Sequence, residues 1–272
     1  MRWRVLGLVA VAASPALAQT TPSPPVAPGI ADNSFLLEEA YNQEEGVVQH
    51  INTFARPFGS DGWSYTFTQE WPVPGQTHQL SVTVPVQAVG DSTGFGDVAL
   101  NYRFQAKDGS RGAVAFSPRA SVLVPTGSSA KGLGAGGAGV QVNLPLSAAL
   151  GSRLVGHSNL GGTWIAGADD IDGNEADVVG WHAGQSVIWL VRPAFNVMLE
   201  LAFNRTRAVT GPGRTERSDS LYLNPGVRWA HNFRSGLQIV PGIAFPIGLG
   251  PSRGDEGLFL YLSLEHPFRA AR

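Results

Sequence analysis

The sequence contains no cysteine, which excludes disulfide staples and an N-terminal lipidated cysteine. Lysine is nearly as scarce, with only Lys107 and Lys131, both in segments that read as connections. Also absent is any apolar run close to the roughly 20 residues that a membrane-spanning helix needs. Membrane insertion would therefore have to use strands. Only 15% of the residues are charged, and the net charge of −2 argues against nucleic acid as a partner.

What is present is punctuation. Thirty-four glycines and nineteen prolines fit a turn-rich all-β chain better than an α/β enzyme. At the N-terminus Arg2 and Arg4 precede an apolar run over residues 5–13 and then Ala16-Leu17-Ala18, the pattern of a secretory signal cleaved before Gln19. The expected division is a signal peptide over 1–18, a leader and short helix over 19–45, and one barrel domain over 46–272. Residues 19–29, rich in Thr, Ser and Pro, read as disordered. Ser34 is placed to cap a short helix carrying Phe35, Leu36, Leu37, Ala40 and Tyr41. That helix would be a periplasmic cap or a plug, or would lean on a barrel rim.

From Val47 onward the apolar period becomes two. Leu80, Val82, Val84 and Val86 share a face against Gln79, Ser81, Thr83 and Gln87, and Leu100, Tyr102 and Phe104 oppose Asn101, Arg103 and Gln105. Further on, Val140, Val142, Leu144 and Leu146 oppose Gln141, Asn143 and Ser147, and Val197, Leu199, Leu201 and Phe203 oppose Asn196, Glu200 and Asn204. A polar face this poor in lysine suits an enclosed interior better than an open surface. Turn signals place strand starts near residues 47, 63, 77, 95, 112, 137, 153, 178, 194, 219, 234 and 257. The fold expected is an all-β, transmembrane, antiparallel up-and-down barrel of about twelve strands, the even count that bacterial single-chain barrels need, with a short N-terminal helix.

Connections at 72–76, 106–111, 151–152, 192–193 and 232–235 are short, and those alternating with them at 56–62, 89–94, 125–136, 167–177, 205–218 and 250–256 read as longer, external loops. Trp63 and Trp71 lie on one strand face, and Trp181 and Trp189 repeat the spacing. Eight residues at about 3.3 Å each and a tilt near 40° rise roughly 20 Å, close to a barrel's apolar band between its aromatic girdles. Pro118, Pro145, Pro225 and Pro241 fall inside the expected strands, where each removes a ladder hydrogen bond and marks a bulge or a strand end.

The same register turns Glu70, Arg103, Arg119, Arg153, His157, His182, Glu200, Arg228 and Glu265 inward, as candidates for a lumen or a selectivity region. Their charges can neutralise one another in a pore or in a salt-bridged, plugged core. His157 and Ser158 are adjacent, so they point to opposite faces and cannot form a base–nucleophile pair; no enzyme is expected. Asp169, Asp170, Asp172 and Glu175 space oxygen ligands weakly suited to Ca²⁺, without the full twelve-residue pattern, and no metal or cofactor is otherwise implied. The glycines of 127–139 lack the GK[ST] step of a phosphate loop. The last strand, with Leu258, Leu260, Leu262, Leu264 and Phe268 on one face and Phe259, Tyr261 and Glu265 on the other, has the form presented to barrel-assembly machinery. It places both termini of the barrel in the periplasm.

The run Asp91-Ser92-Thr93-Gly94-Phe95-Gly96-Asp97-Val98, with Tyr102-Arg103-Phe104, Val124-Pro125-Thr126-Gly127 and His157-Ser158-Asn159-Leu160-Gly161, resembles the "MetA-pathway of phenol degradation" family of outer-membrane β-barrel transporters. The likeness spans about residues 33–268 and lies in structural turns and strand signatures. It implies an outer-membrane barrel passing small solutes, hydrophobic or aromatic ones included, with lipid and solute as partners and no catalytic residue. The chain departs from the usual barrel ending by adding Arg269 to Arg272 after Phe268. The different-class alternative is a structural or adhesion barrel with an occluded lumen and functional external loops.

Overall fold

The computed structural model describes residue 30 and residues 34–109 and 114–268. The expected signal peptide, the leader over 19–29 and the terminal arginines lie outside the described residues.

Eighteen ladder segments run as twelve antiparallel strands of one closed sheet. In chain order these are β1 (Val47–Pro57), β2 (Trp63–Gly75), β3 (His78–Val89), β4 (Ser92–Phe95, Val98–Phe104 and Lys107–Asp108) and β5 (Val114–Phe116 and Arg119–Val124). There follow β6 (Gly139–Asn143 and Leu146–Ala149), β7 (Leu154–Asp169), β8 (Glu175–Arg192) and β9 (Phe195–Gly211). The last are β10 (Arg214–Trp229 and His231–Asn232), β11 (Gln238–Ala244 and Ile247–Gly248) and β12 (Gly257–Pro267). Each strand pairs with its sequence neighbour, and β1 closes on β12 from Val47↔Pro267 to Pro57↔Gly257. Closure leaves no sheet edge. Because the strand number is even, β1 starts and β12 ends at the same end of the barrel, the terminal end.

The alternation sorts as the sequence predicts. Phe259 and Tyr261 are buried inside, whereas Leu260 and Leu262 face out, as do Leu80, Leu100, Val140, Val142, Leu199 and Leu201. A broad apolar outer wall with a buried polar interior inverts the soluble pattern. One outward polar residue, Asn52, is satisfied within the wall: it accepts the Tyr65 hydroxyl at 2.6 Å and donates to the Leu262 carbonyl at 3.2 Å. Trp181 and Trp189 are exposed on β8, and Trp164 and Trp229, which the spacing argument did not single out, join them on the outer wall. Trp63, which opens β2, and Trp71, four residues before its end at Gly75, are half-buried.

Two expectations need correction. The short helix does not form over the described residues 34–46, which run as a bent, irregular segment inside the barrel. Its peptide groups find partners on the wall instead of in helical turns. The alternation of short and long connections is also weaker than expected. Residues 205–218 are not a loop: β9 and β10 continue through Thr206↔Ser218 and Val209↔Thr215 to a turn at Pro212-Gly213. Likewise β7 and β8 extend into the expected 167–177 loop as far as Asp169↔Glu175, and β3 turns into β4 across Gly90-Asp91. Of the expected external loops, 125–136 remains long, closed on Asp97, whose carboxylate accepts the Gly127 and Ala135 amides at 2.9 and 2.7 Å. Gly127 and Gly134 pass too closely for side chains, a Cβ on either meeting the other's backbone within 2.8 Å.

Some of the prolines sit at breaks. Pro118 and Pro145 interrupt neighbouring strands, where Ser117 donates to the Pro145 carbonyl at 3.2 Å. Pro225 lies opposite the Phe245-Pro246 interruption of β11, where the Phe245 amide reaches the Pro225 carbonyl at 3.0 Å. Pro225 and Pro241 themselves stay inside continuous segments, in register with Leu199 and Leu262.

Candidate functional site

The lumen is crossed by residues 34–43, a strap lying against the wall nearer the terminal end. Its amides at alternate positions are taken by wall side chains. Glu200 Oε1 accepts Leu36 N–H at 2.9 Å, Asn159 Oδ1 accepts Glu38 N–H at 2.9 Å, and Ser147 Oγ accepts Ala40 N–H at 2.7 Å. Gln105 Oε1 then accepts Asn42 N–H, and Gln79 Oε1 accepts Gln43 N–H, both at 2.7 Å. Asn159 and Gln105 also donate back, to the Glu38 and Ala40 carbonyls at 2.8 and 2.7 Å. These carboxamides act as peptide groups of a neighbouring strand, so the strap is paired to side chains from β9 round to β3. At its start Ser34 Oγ donates to Ser186 Oγ at 2.8 Å.

Knobs on the strap fit hollows in the wall. The Phe35 ring packs on Phe259 and Tyr261, with centroids 5.7 and 5.5 Å away. It lies over Gly226 and Gly242, where a Cβ would meet ring carbons at 2.5 Å. Leu37 occupies the space over Gly184. Glycine at those wall positions is what allows the strap to approach.

Charge completes the dock. Glu38 of the strap is 2.7 Å from Arg119 NH2 and 3.9 Å from Arg103 NH1, and Arg103 NH2 is 3.9 Å from Glu70. Arg103 donates to Asn42 Oδ1 at 3.0 Å, to the Tyr41 carbonyl at 2.7 Å and to Gln79 Oε1 at 3.1 Å. Burial opposes ionisation of Glu38, but Arg119 and Arg103 hold its carboxyl below the usual range. Arg119 also donates to Asn101 and Gln141 at 2.9 and 2.8 Å and to Ser121.

Of the candidates read from register, Glu70, Arg103, His157, Glu200 and Arg228 are buried in the lumen, and Arg119 lines it. His182 reaches Asn143 Oδ1 at 3.2 Å, and Glu265 accepts from Gln49 at 3.0 Å. Arg153 is not among them: it sits in the exposed turn before β7, which starts at Leu154, one residue later than the turn signals predict. Arg228 NH2 reaches the Ile30 carbonyl at 3.3 Å. His157 does meet a serine, but across strands: Ser147 Oγ lies 2.6 Å from His157 Nδ1, both buried under the strap, while Ser158 bonds Gln185 on the outside. Ser147 is bound to the strap amide, so the pair serves as a clasp. Asp170 accepts Asp172 N–H and Asn174 N–H, both at 2.9 Å, and Asn174 Nδ2 at 2.8 Å. The Asn174 donors hold the Asp170 carboxyl below its usual range. No group of three or more acidic or histidine side chains converges as a cation site among the described residues.

Neutral residues missed by a search for charge, Gln79, Gln105, Ser147, Asn159 and Ser186, hold the strap. Their inward parity was the available signal. Beside the strap a cavity of about 280 Å³ remains, lined by Thr53, Thr68, Thr83, Asn101, Gln141 and Leu36 among others. A second, apolar cavity of about 210 Å³ shares Leu36 and is walled by Ala55, Pro57, Tyr222, Pro246 and Phe259.

No protein-family model matches the chain and no curated protein matches it, so the family resemblance rests on the motifs alone. Solved structures do match in fold. The COG4313 outer membrane channel from Pseudomonas putida F1 superposes with a TM-score of 0.61 at 12% identity, covering 84% of this chain and 97% of that one. The NanC porin superposes with a TM-score of 0.53 at 9% identity, covering 80% and 98%.

Proposed function

We propose that the chain is an outer-membrane channel for passive uptake or efflux of small solutes, with residues 34–43 as its gate. The observation that carries this is the space beside the strap: a polar-lined cavity and an apolar one, with Leu36 lining both. The pair suits solutes with an apolar body and a hydrogen-bonding group, which includes the hydrophobic and aromatic solutes that the family resemblance implies. The apolar outer wall and the likeness to an outer membrane channel and a porin support the location. The closing strand β12 would be the segment read by barrel-assembly machinery.

The occluded structural or adhesion barrel is the competing reading, and the bonding of the strap to side chains around the wall favours it. The absence of native cysteine gives a clean test. With Ser34 and Ser186 oxygens 2.8 Å apart, the double variant Ser34→Cys/Ser186→Cys tethers the strap when oxidised. In planar bilayers the oxidised barrel should stay closed and reductant should restore native conductance, while deletion of residues 30–46 should raise it. Equal conductance in both redox states would remove the strap as gate. A silent barrel even after the deletion, still heat-modifiable on a gel, would sink the channel reading and leave the occluded barrel.

A further inference from the structure

The outer wall of β9 and β10 changes character abruptly. Leu199, Leu201 and Phe203 face out along β9, and the next two outward positions are Arg205 and Arg207. The facing strand repeats the change, with Leu221 paired to Phe203, Asp219 to Arg205 and Arg217 to Arg207. Asp219 takes both Arg205 hydrogen bonds, at 2.7 and 2.8 Å, and lies 3.5 Å from Arg217 Nε. Asp219 thus serves Arg205 and Arg217, while Arg207 donates to Thr215 Oγ1 at 3.1 Å. Arg207 and Arg217 stand directly opposite in the ladder, both exposed, an arrangement that is destabilising without an anion between them.

The level of this pair is also defined. Arg205 is the cross-strand partner of Trp181, and its guanidinium lies 5.5 Å from that ring's centroid and 5.7 Å from Phe203's. Arg207 is two residues farther out, about 5 Å beyond the aromatic ring at a tilt near 40°. That is headgroup depth. Guanidinium forks bind phosphate oxygens in pairs, and the apolar wall of Phe203, Leu201 and Leu221 continues directly below for acyl chains.

From this we infer that Arg207 and Arg217 form a binding site for the phosphate of a phosphorylated lipid headgroup in the leaflet at the far end of the barrel. The inference rests on the reading that the apolar wall lies in a bilayer. The test refolds the chain into phosphatidylcholine vesicles doped with an acylated, bisphosphorylated glucosamine disaccharide, then counts retained lipid by native mass spectrometry after detergent extraction. The wild type should retain this lipid and not its dephosphorylated form. Arg207→Gln/Arg217→Gln should weaken retention about tenfold or more, ~1.4 kcal/mol, with Arg207→Lys/Arg217→Lys intermediate. Arg234→Gln, at the opposite end, should change nothing. Equal retention by the glutamine pair, or of the dephosphorylated lipid, would overturn the site, and displacement by inorganic phosphate would overturn the lipid as its occupant. A chain that does not insert, and so lacks a heat-modifiable band, would instead defeat the bilayer reading and the site with it.

Discussion

Arg103 shows how one residue's function depends on what lies opposite it. From sequence it is an inward cation and a selectivity candidate; in the fold its guanidinium is directed at the strap residues Tyr41 and Asn42 and at Gln79. Its removal should therefore act on gating before it acts on ion preference. Arg103→Ala removes the cation beside Glu70 and the donors to Tyr41 and Asn42, while Glu38 keeps Arg119, a loss of about 3 kcal/mol by analogy with broken buried pairs, read as a lower denaturant midpoint and a raised open probability. Arg103→Lys keeps the charge without the fork and should recover stability only in part. A changed cation/anion permeability ratio at unaltered open probability would contradict this. The wall glycines make the complementary case. Gly242→Val puts methyl groups where the Phe35 ring lies, 2.5 Å from even a Cβ, and overpacking of this kind costs about 1–3 kcal/mol. The relief available is undocking of the strap, so Gly242→Val should increase conductance while the barrel remains heat-modifiable; an unchanged conductance would mean that the ring finds another seat.

At the scale of elements, strand identity and facing were legible because burial imposes the period of two: the parities read for Leu80–Val86, Asn101–Gln105 and Phe259–Glu265 all hold in the barrel. The strap was not legible as a strap. Its apolar residues fall at roughly helical spacing, and the acceptors that outweigh helix formation are supplied by residues as distant in sequence as Glu200 and Ser186. Nor was the length of the β9–β10 hairpin, because beyond Arg205 both faces are polar and no hydrophobic alternation marks the strands; pairing there is carried by backbone ladders and by Arg205–Asp219. Arg153 was misplaced for a related reason, since near a turn the parity gives no purchase. The hairpin makes a separate prediction. The segment past Thr206↔Ser218 packs beyond the level of Trp181, so replacing residues 207–217 by a two-residue Asn-Gly turn should leave the heat-modifiable shift intact while removing the arginine pair together with Arg214, Glu216 and the Gly213 amide bonded to the Glu175 carbonyl. Loss of the folded band in this variant would show that the outer hairpin is part of the barrel's stability.

For the whole molecule the decisive question is whether the apolar wall is solvated by lipid, and depth dependence answers it. Phe67 is midway between Trp63 and Trp71 and is registered to Asn52, which is registered in turn to Leu262. With strands about 4.8 Å apart and tilted near 40°, two steps shift the level by only about 6 Å, so Leu262 lies near the middle of the band. Leu258, four residues toward the far end, is roughly 10 Å higher, close to the interface. An arginine in a barrel's lipid face costs ~2–4 kcal/mol at the midplane and ~0–1 near the interface. Leu262→Arg should therefore destabilise refolded barrels in phosphatidylcholine vesicles by about 1–4 kcal/mol more than Leu258→Arg, measured by equilibrium denaturant unfolding. In a water-soluble barrel the two outward substitutions would cost little and cost the same, because neither charge would leave water. Equal penalties would thus reject the bilayer as the solvent of this wall, and with it the channel; a graded penalty would fix the lipid level against which the Trp181 ring and the Arg207–Arg217 pair are placed.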